Sequence, residues 1–103
     1  MRRAARIDAN QPSIVAALRS SGCSCVSLAA VGEGVPDLLV GVKTSAGGET
    51  HLVEVKDGSK VASARYLTRW QQAWHASWRG APVVVLESVD EAIAWLHQRR
   101  MGA

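Results

Sequence analysis

The chain has 103 residues, 48% hydrophobic and 20% charged, the profile of one globular domain, which excludes a disordered or collagen-like chain. Folding at this size buries roughly 65% of the unfolded surface, enough for one core without disulfide or metal staples. Twelve basic residues against nine acidic ones leave a net charge of +3, which admits a polyanionic partner. No stretch approaches the ~20 apolar residues of a membrane span. None follows the N-terminal arginines either, so a cytoplasmic protein with no membrane partner is expected.

Residues 1–9 read as a mobile basic arm carrying Arg2, Arg3 and Arg6. Asn10 or Gln11 can cap a helix near 11–21 that tolerates Pro12 in its first turn, gathers Ile14, Val15 and Leu18 on one side and stops at Gly22. The alternating run after Gly22 predicts a strand near 24–29. Cys23 and Cys25 share one face of it, a spacing that rarely bridges, and His51, His75 and His97 are scattered without zinc spacing.

Residues 37–42 and 51–56 are apolar-rich and predict the strands of an antiparallel hairpin, joined by a Gly-rich reversal over 43–50. After a polar stretch, Thr68-Arg69-Trp70-Gln71 fits a capping box opening a helix that ends before Gly80, with Trp70, Trp74 and Trp78 recurring every four residues. The run 83–86 reads as a strand buried on both faces and reached by a crossover. Ser88-Val89-Asp90-Glu91 is a second capping box, for a helix through Ile93, Trp95 and Leu96 to Arg99 and Arg100, cations that suit its terminus. The order is α-β-β-β-α-β-α, an α/β fold with a mixed central sheet flanked by helices, in a single domain spanning 1–103.

Three charges meet in the hairpin. On the second strand Leu52, Glu54 and Lys56 share one face while Val53 and Val55 line the other, which turns to the core. With the reversal centred between Ala46 and Gly47, Asp37 falls opposite Lys56 and diagonal to Glu54 on that same face. Two carboxylates held this close raise each other's pKa, a cost that a cation between them offsets, and oxygen ligands of this kind suit Mg²⁺ or Mn²⁺. The plainer alternative is a solvated sheet face. Glycine-containing loops, Gly34-Val35-Pro36 before Asp37 and Gly58 after Lys56, favour a site.

Gly34-Val35-Pro36-Asp37-Leu38-Leu39-Val40-Gly41 followed by Leu52-Val53-Glu54-Val55-Lys56 resembles the PD-(D/E)XK nuclease motif, and the element order is similar to that superfamily's restriction-endonuclease-like core, α-β-β-β-α-β, plus a C-terminal helix. The resemblance is nearest to small stand-alone VRR-NUC domains and Holliday junction resolvases, often encoded by phages, and covers the chain from Asn10 to about Leu96. It implies that Asp37, Glu54 and the carbonyl of Val55 ligate Mg²⁺ or Mn²⁺, and that Lys56 positions a water or offsets charge on the phosphate. Gln71 matches a helix-borne glutamine of VRR-NUC domains, a role compatible with its place in the capping box. Related resolvases add a glutamate from the first helix, and here the matching position is Gln11. Either Asp8 substitutes for it, the metal site is weaker, or that ligand is dispensable.

The implied protein is a metal-dependent DNA endonuclease hydrolysing phosphodiester bonds, selective for branched DNA and homodimeric, since a junction must be cut symmetrically. Lys60, Arg65 and Arg69, with Arg2, Arg3 and Arg6, would contact the DNA backbone. The alternative is a catalytically weak or inactive nuclease-fold module that binds DNA. A third reading is an interaction protein with no nucleic-acid partner. The tryptophan stripe is expected in the core or at a dimer interface, with base stacking as the lesser option.

Overall fold

The computed structural model describes residues 7–102, so Arg2, Arg3 and Arg6 lie outside the described residues. The elements are α1 (Gln11–Ser20), β1 (Ser24–Ser27), β2 (Leu38–Thr44), β3 (Gly47–Val55), a 3₁₀ turn (Ala62–Arg65), α2 (Arg69–Ser77), β4 (Val84–Leu86) and α3 (Val89–Gly102). The four strands form one mixed sheet in sequential order: β1, β2 and β3 are antiparallel, and β4 runs parallel to β3. Among the described residues the result is an α/β fold with three α-helices and the expected order of elements.

The hairpin is longer and tighter than its glycines suggested. Thr44 pairs with Gly47, so the reversal shrinks to Ser45 and Ala46. The Thr44 hydroxyl fixes it, donating to the Gly47 carbonyl (2.8 Å) and accepting from the Ala46 amide (3.2 Å), while Gly47 takes φ +126°, open to glycine. The pairing therefore differs by two residues from the expected one: Leu38 faces Val53, which places Asp37 across from Glu54 rather than Lys56. A two-residue change leaves every side chain on its face.

One face of the sheet is dry. Leu38, Val40 and Val42 from β2, Val53 and Val55 from β3 and Leu86 from β4 pack under Ile14 and Leu18 of α1 and Ala92 and Leu96 of α3. Cys23 and Cys25 are free thiols in the same cluster. Glu49 ties β3 to α3 through a forked bond from Arg99 (2.9 and 3.0 Å). The Arg99 guanidinium, helped by His51, holds the Glu49 carboxyl down to about 2.

Three local expectations are corrected, and the buried face of α3 is now defined. The Asn10 side chain does not cap α1; its amide instead donates to the carbonyls of Lys56 and Glu87, both at 3.0 Å, pinning the start of α1 to the carboxyl ends of the parallel pair. In the second capping box Ser88 accepts from the Glu91 amide, but the Glu91 carboxylate reaches the amide of Glu87, one residue further back. Strand β4 is an edge strand, buried on one face only, with Val85 exposed on the other. Ile93 is exposed, the buried stripe of α3 being Ala92 and Leu96. Among the described residues no helix is long and apolar enough to cross a membrane.

Candidate active site

The opposite face carries the charges. Asp37 precedes β2, Glu54 is the penultimate residue of β3 and Lys56 follows its end, so all three stand where β3 and β4 finish. They are not solvated: Asp37 is 5%, Glu54 1% and Lys56 8% exposed. Leaving carboxylates this dry is costly unless other groups satisfy them, which argues for a built site rather than an ordinary polar face.

The backbone fixes Asp37 from two sides. Its carbonyl accepts from the Leu28 amide (2.7 Å) and its carboxylate Oδ2 accepts from the Val55 amide (2.7 Å), so Val55 touches the site through its backbone while its side chain stays in the core. Helix α2 supplies the rest. Thr68 and Gln71 form the full capping box, and the Gln71 amide also works inward: its Oε1 accepts from Lys56 Nζ (2.8 Å) and its Nε2 donates to Glu54 Oε2 (3.2 Å). The capping bonds and the contacts to Lys56 and Glu54 coexist in one side chain.

His75 is the residue that sequence reasoning missed. Its Nε2 lies 3.1 Å from Glu54 Oε1, so both oxygens of Glu54 are engaged from α2. The available signal was its position four residues after Gln71, which puts both on one helix face. Burial and the Asp37 carboxyl beside it push Glu54 up to about 9. Burial, and then the Lys56 cation, hold His75 below its usual value.

Helix α2 has no buried residue. The tryptophans are thus not core: Trp70 is 73% and Trp78 45% exposed, and Trp74 stacks on Trp78 with ring centroids 4.9 Å apart. Polar bonds to Glu54 and Lys56 hold the helix, together with a close approach at Gly34. There φ is +82°, and a Cβ would come within 2.5 Å of the Trp70 carbonyl oxygen.

The first-helix contributors occupy different settings. Asp8 is half-buried; burial raises its carboxyl while the Lys56 cation pulls it down and Asp37 pushes it up, which places it within the field of the site. Gln11 is 4% exposed, and its Oε1 is buried with no hydrogen-bond partner among the described residues. An acceptor in that state is where a water or an ion is sought. Lys60 and Arg69 are exposed, whereas Arg65 is paired with Glu87 at 3.0 Å and is less available to a phosphate.

Among the described residues no group of three His, Cys, Asp or Glu side chains is arranged to hold a metal. A divalent ion here would draw on two carboxylates, a backbone carbonyl and amide oxygens, a hard donor set that suits Mg²⁺ or Mn²⁺. The two buried acids side by side fit such a group, whereas the unpartnered Gln11 oxygen lines a separate cavity with Val15, Cys25 and Leu38. Compared with family models, curated proteins and solved structures, the chain matches none.

Proposed function

We propose that the chain is a divalent-metal-dependent DNA endonuclease of the PD-(D/E)XK type, resembling VRR-NUC domains and Holliday junction resolvases and selective for branched DNA. One observation carries the reading: Asp37, just before β2, stands across from Glu54 of β3, both buried, with Lys56 and Gln71 hydrogen-bonded beside them. An arrangement that raises one carboxyl to about 9 is poorly explained by stability alone and is characteristic of functional sites.

In this reading Asp37, Glu54 and the Val55 carbonyl would hold Mg²⁺ or Mn²⁺, which polarises a phosphodiester and makes a bound water more acidic. The Val55 amide orients Asp37. Lys56, aimed by Gln71, offers its ammonium to the attacking water or to charge building on the phosphate. His75 and Gln71 orient Glu54. Lys60 and Arg69 offer phosphate contacts beside the site, and a homodimer would supply the two active sites that symmetric junction cutting requires.

The alternative, a weak or inactive DNA-binding module, is favoured by the neutral Gln11 and by the engagement of both Glu54 oxygens from α2. The deciding experiment incubates the protein with a four-way junction, a fork, a duplex and a single strand, each with Mg²⁺, Mn²⁺ or EDTA. Metal-dependent cleavage of the branched substrates supports the endonuclease. Binding without cleavage in every metal supports the module, and no binding to any substrate overturns both.

A further inference from the structure

We infer that the segment over residues 58–86 is a stacking platform for the unpaired bases of a nucleic-acid strand, with Trp70 and Tyr66 as its ring faces. Between Asp57 and Glu87 this stretch carries the exposed cations Lys60, Arg69 and Arg79, with Arg65 already paired to Glu87, and four of the chain's five aromatic residues. Its rings are not consumed by folding: Tyr66 is 69% and Trp70 73% exposed, and neither makes a ring contact among the described residues. Trp74 and Trp78 stack on each other, which leaves Trp70 and Tyr66 as the open faces.

The charge selects the occupant. In a twofold dimer the same patch meets itself, so the cations Lys60, Arg69 and Arg79 of both copies would share one interface and repel. A polyanion answers those cations, and unpaired bases offer the flat π-faces that exposed tryptophan and tyrosine take up, whereas paired bases in a duplex keep their faces stacked on each other. Arg69 opens α2, Arg79 follows its end, and both are exposed. Trp70 stands on the same helix whose Gln71 amide reaches Glu54, so the platform and the cover of the candidate active site belong to one element. A second copy required for symmetric junction cutting docks elsewhere.

This inference rests on the nucleic-acid reading above but not on hydrolysis, so it is tested in EDTA. Anisotropy of a labelled oligo-dT strand and of a blunt duplex of equal length is measured with the parent, Trp70→Ala, Trp70→Leu, Trp70→Phe and Arg69→Gln, each checked by far-UV CD. The expected result is quenching of tryptophan emission by oligo-dT. Trp70→Ala and Trp70→Leu weaken strand binding about tenfold while duplex binding changes less than about twofold, and Trp70→Phe retains it. Arg69→Gln weakens both and lowers the salt slope by about one. Equal losses on strand and duplex, unchanged strand affinity, or a dimer in sedimentation equilibrium that Trp70→Ala dissolves would overturn the platform. Strand binding by the parent in EDTA is read apart from junction cleavage in Mg²⁺, which separates failure of the platform from failure of the metal site.

Discussion

The sheet face under α1 and α3 and the face under α2 are equally buried at their centres but are held by different forces. On the first, Leu38, Val40, Val53 and Val55 are no more than 1% exposed and pack in one apolar cluster with residues of two helices. On the second, Glu54 is also 1% exposed, yet its surroundings are Gln71, His75 and Asp37, and the covering helix buries no apolar side chain. The first face therefore carries the stability of the fold, and the second is where local opening is least costly.

Substitutions should divide along that line. The largest loss belongs to the dry face: Leu38→Ala removes a buried side chain from the centre of the core and lowers stability by about 2–5 kcal/mol in denaturant unfolding. Next is the charged face, with an effect of the opposite sign. Glu54 titrates near 9 in the folded protein against an ordinary 4.5, so the folded state keeps a proton that the unfolded chain releases between those values. Its contribution to stability is complete below about pH 4.5 and is lost as pH rises toward 9. Glu54→Gln, neutral and of the same shape, should flatten this slope and raise stability at pH 8 on the order of a few kcal/mol, read from melts across pH.

Smaller effects sharpen the comparison at α2 itself. Gly34→Ala sets a Cβ against the Trp70 carbonyl at a positive φ and should cost about 1–3 kcal/mol. Hydrogen exchange should show that loss as faster opening of α2, with the strands β2 and β3 still protected. His75→Ala removes one of the two α2 contacts to Glu54 and should cost about 1 kcal/mol, again confined to α2 amides. If either variant instead melts the whole sheet early, the two faces are not independent.

The element order, both strands of the hairpin and the shared face of Asp37, Glu54 and Lys56 were legible because period-two alternation and capping residues are local signals. The pairing was not: a hydroxyl bonding within its own turn, as Thr44 does, set it, and no hydrophobic pattern reports such a bond. The exposure of Trp70 and Trp78 was misread for a related reason. A tryptophan stripe at helical spacing usually packs, but α2 meets the sheet through Gln71 and His75, one helix face round from the aromatic stripe. The inward turn of Asn10 toward Lys56 and Glu87 is a contact between distant parts of the chain and has no sequence signature.

The central claim is that the buried acids serve hydrolysis. Its most direct test is cleavage of a labelled four-way junction in Mg²⁺ by the parent protein, Asp37→Asn and Glu54→Gln, with melting curves taken on the same samples. The account predicts that the parent cuts, and that both variants lose cleavage while remaining folded and bound to the junction. Full cleavage by either folded variant would contradict it.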